Sequence, residues 1–449
     1  MICGPHRGLV RSVPRAGLLL GRSGAPAEGE ALLLEDPWIS RRQALVTGPC
    51  DDWRLRDLGG RNRAFVDGKA VPPDGEVALA DGALLRLGDT LLLLRHGALP
   101  QETSSERCLR AFPGHAPAAF AVRRRLHQLQ RTSGPVLILG ETGTGKERAA
   151  RAIAAPQQPV VPQNCAELTR ELARSELFGH VRGAFSGALA SKAGLVEAAE
   201  HGVLFLDEVG ELSLDVQAEL LRFLEDGHYR PVGATELRAS SARVVAATNV
   251  DLDAAVRAGR FRRDLLARLR AANPPLALPP LRERREDVLE WAECFQHELS
   301  GAEPPAPLAP WNAGAAECLL LYLWPGNLRD LRGVIRGLAQ AGIELSTLRS
   351  DDLPQELREH RRALRGVTEP VPVLTEPAKA ASEASPAQAA PLPPTRESIE
   401  ALLSSTSGSI RATAHQLGVD RRKLYRLCER LGIDLDSYRA NPEQEDRDG

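Results

Sequence analysis

No run of twenty apolar residues occurs in the 449-residue chain, which speaks against a helical membrane span. Met1 to Leu20 has no apolar stretch of the kind a secretory signal needs. The seven cysteines (Cys3, Cys50, Cys108, Cys165, Cys294, Cys318 and Cys428) are odd in number, scattered, and nowhere at metal-ligand spacing. Reduced thiols and a cytoplasmic location are the expectation. Lysine is scarce beside arginine, which reflects genomic base composition more than function. A net charge of −2 and ordinary apolar content point to a soluble multidomain protein. The length suits roughly two to four domains.

What is present divides into three modules. Residues 97–111 are polar and irregular and read as a first linker. Residues 366–394 are rich in Pro, Ala, Glu and Ser and hold too few large apolar side chains to fold alone, so they read as a flexible tether. The fold class expected is multidomain: an N-terminal β-sandwich, a central α/β domain with a helical lid, and an all-α C-terminal module.

The central module carries the chemistry. Val136-Leu137-Ile138-Leu139 reads as a buried strand and Glu147 to Ala155 as a helix. Between them lie Gly140, Glu141, Thr142, Gly143, Thr144, Gly145 and Lys146. Glycines let backbone N–H groups close around phosphate oxygens, the helix N-terminus favours anions, and Lys146 supplies charge to the β/γ-phosphates. Glu147 follows the lysine where a phosphate loop usually has a hydroxyl, so another group must help hold Mg²⁺. Val203-Leu204-Phe205-Leu206 is a second buried-type strand and ends in Asp207-Glu208. Asp207 suits orientation of Mg²⁺ and Glu208 polarisation of the attacking water. Together these motifs point to an ATP hydrolase.

Gly183, Ala184, Phe185, Ser186, Gly187 and Ala188 form a small-residue loop with one aromatic tip. The loop, with Glu176 to His180 before it, resembles the surface loop of bacterial sigma-54-dependent transcription activators of the AAA+ class. That loop reads GAFTGA, and Ser186 replaces its threonine. The resemblance spans about residues 112–356 and implies an expected contact of this loop with the RNA polymerase sigma-54 holoenzyme. By the same resemblance Asn164 holds the catalytic glutamate, Thr248 and Asn249 sense nucleotide, and Arg329 in the motif Trp324-Pro325-Gly326-Asn327-Leu328-Arg329 reads the γ-phosphate. Arg262 and Arg268 resemble arginine fingers that act on a neighbour's ATP, which implies a homo-oligomer, dimer to hexamer. A planar guanidinium suits charge spread over phosphoryl oxygens. The chain is shorter than the family's between Ala154 and Gln163. It carries an insertion with Pro274-Pro275 before Leu278, so the strand there should be edge-like or broken.

In the N-terminal module, short apolar runs (18–20, 31–34, 53–55, 64–66, 84–87 and 91–94) alternate with turn pairs Asp67-Gly68 and Asp81-Gly82, a sandwich pattern. Gly21-Arg22, Ser40 to Ala44 and Arg61 to Gly68 resemble a forkhead-associated domain over about residues 10–96. That implies a phosphothreonine protein, or a Ser/Thr kinase, as partner, with Arg22 and Ser40 on phosphate and Asn62 on the peptide backbone. Gln43 stands where that family has histidine, and Arg63-Ala64 replaces Gly-Thr. A sandwich kept for docking or dimerisation is the alternative.

Residues 395–440 read as helices. Ile410 to Leu417, Gly418 and Arg421 to Leu431 give a helix–turn–helix pattern that resembles the Fis-type DNA-binding domain of the same activators. Six basic residues face two acidic ones from 410 to 431. Arg421, Arg422, Lys423, Tyr425 and Arg426 would meet double-stranded enhancer DNA. A protein-docking hairpin is the alternative for this module alone. For the whole chain, the alternatives are a phosphopeptide-to-DNA adaptor that binds nucleotide without hydrolysis, and another DNA-linked AAA+ machine.

Overall fold

Asp67 and Gly68 both adopt positive φ (46° and 78°), the backbone of a tight hairpin turn, and they join Phe65–Val66 to Lys69–Ala70. This hairpin belongs to the N-terminal sandwich of a computed structural model that describes residues 9–14, 16–22, 30–49, 52–97, 104–169, 172–301 and 311–366, with Thr413 and Ile433. The chain divides into two units, Met1–Pro372 and Val373–Gly449. The DNA-contact candidates Arg421, Arg422, Lys423, Tyr425 and Arg426 lie outside the described residues, as does the stretch 367–394.

One sheet of the sandwich runs in the order Glu30–Leu33, Leu18–Gly21, Ala44–Thr47, Trp53–Asp57, Glu76–Leu79. The other runs Lys69–Ala70, Phe65–Val66, Leu84–Leu87, Thr90–Leu93. Leu18, Leu20, Val46 and Leu55 meet Val66, Leu85, Leu87 and Leu92 between them. Leu84 and Leu91 instead join the core of the central domain. Burial on both faces explains why these two strands read as nearly continuous leucine rather than as alternation. Three strands had no signal of their own: Ala44–Thr47, Lys69–Ala70 and Glu76–Leu79. Two of these lie on sheet edges and carry charged or small residues.

The expectation of an irregular linker over 97–111 needs correction. Ser105 accepts a hydrogen bond from the Cys108 N–H and caps a helix, Glu106–Ala111. Cys108 and Phe112 are fully buried in the central core, so the packed structure starts before 112.

The central sheet is parallel and five-stranded. We label its strands β1 (Val136–Leu139), β2 (Val160–Asn164), β3 (Val203–Asp207), β4 (Arg243–Thr248) and β5 (Leu276–Ala277), which lie in the order β2-β3-β4-β1-β5. Ile138, Phe205 and Val245 enter one core and Leu137, Leu204 and Val244 the other, so both faces are covered. The strand that follows Pro274-Pro275, β5, is two residues long and lies at the sheet edge, as expected where prolines cut a strand short. The helical lid follows as α1 (Val288–Ser300), α2 (Ala313–Leu321), α3 (Asn327–Gln340) and α4 (Gln355–Leu364). No helix among the described residues is long and apolar enough to cross a membrane.

Candidate functional site

The carboxyl ends of β1, β2, β3 and β4 deliver Gly140, Asn164, Asp207 and Thr248 to one edge of the sheet, where ligands of open α/β folds bind. The loop after β1 turns through Gly143 and Gly145 at φ 79° and 106° and enters the helix Lys146–Ile153. Lys146 is almost fully buried. Its Nζ donates to the Gly140 carbonyl (3.2 Å) and to Glu208 Oε1 (3.3 Å), and lies 3.9 Å from Asp207 Oδ1. Thr144 is buried and its Oγ1 donates to the Glu141 carbonyl at 2.8 Å. Glu147 is turned outward onto Arg151, one helical turn on.

Glu208 has a left-handed backbone, φ 51°, rare for a residue with a Cβ. This turn aims its carboxylate back into the site, where Oε2 accepts from the Asn249 N–H (3.2 Å) while Oε1 meets Lys146. Asn249 in turn donates from Nδ2 to Thr142 Oγ1 (3.1 Å). Thr248 is buried; its carbonyl accepts from the Gly140 N–H and its hydroxyl from the Val250 N–H. Burial raises the Asp207 carboxyl pKa, Lys146 opposes that rise, and Glu208 beside it adds to it. Two adjacent half-buried carboxylates with one ammonium between them form a hard-oxygen donor set, which fits Mg²⁺. Cys165 is buried next to them, and burial first, then Asp207 and Glu208, pushes its thiol up to about 12, so it is a packing residue.

The structure does not join Asn164 to Glu208. The Asn164 side chain caps the Ala166 N–H and donates to Glu167 Oε1 (3.2 Å). Asn164 pairs in register with Asp207 across β2 and β3. The two arginine-finger candidates are engaged locally: Arg262 in a bidentate pair with Asp264, Arg268 on the Leu224 carbonyl. Arg329 is exposed on the first turn of α3 beside the phosphate loop, where a Cβ added at Gly143 would come 3.2 Å from the Arg329 Cβ.

Arg282 and Arg284 carry no sequence signal, and the bonding roles of Asn327, Leu328 and Gly143 are not legible from the motifs that contain them. Arg282 forms a two-toothed pair with Glu141 (2.6 and 2.8 Å) and holds that carboxyl below its usual range. Asn327, fully buried with φ 54°, accepts from the Leu281 N–H (2.7 Å) and donates to the Thr142 carbonyl (3.0 Å) and Glu141 (3.3 Å). The Leu328 N–H donates to the Gly143 carbonyl at 2.9 Å. A Cβ at Gly143 would sit 2.1 Å from the Gly326 carbonyl oxygen, so only glycine lets the lid approach the loop this closely. Arg284, fully buried, donates to the Thr144 carbonyl and lies over the Phe112 ring.

The loop from Gly183 to Ala188 closes on itself: Gly183 N–H donates to the Ala188 carbonyl and Ala188 N–H to that of Phe185. Gly183 and Gly187 have positive φ. Phe185 is 40% exposed, with its ring edge against His180 at 5.1 Å. Ser186 is exposed at the turn.

In the sandwich, Arg22, Ser40 and Asn62 share one loop cluster. Arg22 donates to the Pro37 carbonyl, Asn62 to the Trp38 carbonyl (2.7 Å), and Ser40 Oγ accepts from the Arg61 N–H. Gln43, in the position of the expected histidine, is buried and bridges the cluster, accepting from the Ser40 N–H and donating to the Asn62 carbonyl (2.6 Å). Trp38 stands 60% exposed beside them.

Comparison with known proteins matches residues 112–273 to the sigma-54 interaction domain, 282–369 to an AAA+ ATPase lid domain and 18–88 to the FHA domain. The nitric oxide reductase transcription regulator NorR2 of Cupriavidus necator is 42% identical over 328 residues, 70% of this chain and 62% of that protein. The anaerobic nitric oxide reductase transcription regulator NorR of Escherichia coli K12 is 37% identical over 366 residues, 79% of this chain and 69% of that protein. The alginate biosynthesis transcriptional regulatory protein AlgB of Pseudomonas aeruginosa is 47% identical over 225 residues, 49% of each chain. Of the first and last of these relatives the chain spans less than two thirds of the length. A crystal structure of NtrX from Brucella abortus in complex with ATP superposes with a TM-score of 0.47 at 28% identity, covering 71% of this chain and 69% of that one.

Proposed function

This chain belongs to the family of sigma-54-dependent transcription regulators, and we propose that it hydrolyses ATP to remodel the sigma-54 holoenzyme at a promoter. The observation that carries the reading is the placement of Glu208. Its left-handed backbone turns the carboxylate toward Lys146 and the Asn249 N–H. There it can orient a water for attack and take its proton.

The loop from Gly140 to Lys146 cradles the triphosphate, with its N–H groups and the helix end on the phosphates and Lys146 on the transferred group. Lys146 exchanges its carboxylate partners for phosphoryl oxygens when ATP enters. Asp207, with Glu208 close by, would hold Mg²⁺, which neutralises charge on the phosphoryl oxygens when bound. Asn249 links Glu208 to Thr142 and so ties the catalytic carboxylate to the phosphate loop. Asn164, next to Asp207 in register, is the group that takes Glu208 when the site rearranges. Arg329 meets the γ-phosphate in the same subunit. Arg262 and Arg268, released from Asp264 and the Leu224 carbonyl, complete the site of a neighbouring subunit in a ring. Phe185, half exposed at the tip of the 183–188 loop, contacts the sigma factor. The Arg22–Ser40–Asn62 cluster reads a phosphothreonine peptide, and the C-terminal helices bind enhancer DNA.

The test uses the full chain. Glu208→Gln should retain ATP binding and lose turnover by about 10²-fold or more, the usual worth of a general base. Phe185→Ala should hydrolyse ATP at the wild-type rate and fail in sigma-54-dependent transcription. Wild-type turnover in the Gln variant would show that the chain binds nucleotide without Glu208 catalysis, which is the adaptor reading.

A further inference from the structure

The sandwich is not free of the ATPase. Its second sheet lies on the lid through three ion pairs, one guanidinium–ring contact and an apolar seam. Arg86 donates to Glu317 (2.5 Å), a fully buried acid that also takes Arg365 (2.6 Å) and lies near Arg361 (3.6 Å). Arg95 pairs twice with Glu286 (2.7 and 2.5 Å), and Asp67 accepts from Arg285 (2.6 Å). The Arg365 guanidinium covers the Phe65 ring at 4.8 Å, and Leu84 and Leu91 enter the shared core. Surface ion pairs contribute little, but Glu317 and Glu286 are desolvated, so removal of their partners leaves buried charge unpaired.

Two of these contacts fall on the stretch 281–287, from which the Arg282 and Arg284 side chains grip the phosphate loop. Arg282 holds Glu141, Arg284 holds the Thr144 carbonyl, and the Leu281 N–H is held by Asn327, which also holds Thr142. Arg285 and Glu286, which follow directly, are held by the sandwich. We propose that the sandwich docks on the lid as a cis partner of the nucleotide site, and that the docked form slows nucleotide release by stiffening the 281–287 stretch. Entry and exit of a nucleotide require the lid contacts at Glu141, Thr142 and Gly143 to yield. A sandwich fixed to α2, α4 and the 281–287 stretch resists that movement. The inference rests on the nucleotide-site reading but not on hydrolysis.

Two perturbations of the full chain test it, read by release of a fluorescent ADP analogue and by steady-state turnover of Mg·ATP. Glu286→Arg faces Arg95 with like charge and should speed ADP release at least about fivefold, the lower range of site-to-site coupling. Adding Arg95→Glu should restore release to within about twofold of wild type. The second perturbation locks the interface. A Cβ at Gly68 would lie 3.3 Å from the Leu364 Cβ, near the span of about 3.5–4.5 Å in disulfides. Gly68→Cys with Leu364→Cys should cross-link under mild oxidant, with each single variant as reference because Gly68 has a left-handed backbone. The oxidised pair should release ADP more slowly than the reduced pair. Failure to cross-link overturns the docking. A cross-linked chain with ADP release unchanged overturns the coupling. Altered ADP release in a chain without ATP turnover supports this inference and sinks the hydrolysis reading.

Discussion

Asn327→Ala is the most informative single change to the lid. The side chain is fully buried and makes three bonds, to the Leu281 N–H, the Thr142 carbonyl and Glu141. Truncation leaves the buried Leu281 N–H without its acceptor, at about 1–3 kcal/mol, and removes a carbonyl bond of about 1 kcal/mol. The backbone at φ 54° adds about 1 kcal/mol, because alanine lacks the local hydrogen bonding that lets asparagine occupy that region. The sum is about 3–5 kcal/mol. Urea unfolding followed by tryptophan fluorescence reports it, since Trp291, Trp311 and Trp324 are buried in the lid. Asn327→Gly separates the parts: glycine tolerates the backbone, so it should be about 1 kcal/mol less harmful than alanine. Nucleotide affinity should fall in both, because the loop loses its tie at Thr142. A loss under about 1 kcal/mol for the alanine variant, with affinity unchanged, would refute the claim that Asn327 organises the phosphate loop.

Other outcomes follow from the same contacts. Gly143→Ala should weaken nucleotide binding and the lid–loop contact together, since its Cβ would meet the Gly326 carbonyl oxygen at 2.1 Å; titration with an ADP analogue checks it. Burial raises the Asp287 carboxyl to about 7, against an ordinary 3.8. The folded chain therefore binds a proton that the unfolded chain releases, so this contribution is full below about pH 4 and is lost as pH rises through 7. Stability measured at pH 5 and pH 8 should show that loss in wild type and less of it in Asp287→Asn, which keeps the acceptor for the Ala116 N–H. Gln43→Ala should lower the melting temperature of the sandwich and abolish phosphothreonine-peptide binding by Arg22, Ser40 and Asn62; unchanged binding by fluorescence anisotropy would show that these loops do not depend on the bridge.

What could be read from the chain and what could not divides by sequence distance. The phosphate loop is strand, turn and helix within a few residues, so its glycines, its lysine and its place in the fold follow from local chemistry. The same holds for the strand that ends in Asp207 and for the Asp67-Gly68 hairpin. Arg282 has no local signal, and Asn327 is legible only as part of the lid motif, because their partners Glu141 and Thr142 are 141 and 185 residues away. Nothing in the sequence around Glu317 marks it as buried. It is buried because Arg86, 231 residues earlier, crosses from another domain to meet it. Glu208 was assigned by its neighbours in sequence, yet the strained backbone that aims it is visible only in three dimensions. Gln43 shows the converse: read as a departure from a histidine pattern, it is a buried amide whose acceptor and donor ends both find partners, at the Ser40 N–H and the Asn62 carbonyl. An amide there can bond both the Ser40 N–H and the Asn62 carbonyl at once, which a neutral imidazole can do only by using both ring nitrogens, one as acceptor and one as donor. The substitution therefore keeps the loop cluster assembled while removing a group that would titrate near neutral pH. On that argument, phosphopeptide recognition by this sandwich should be less sensitive to mild acidification than in a histidine-bearing relative, apart from the titration of the phosphate itself.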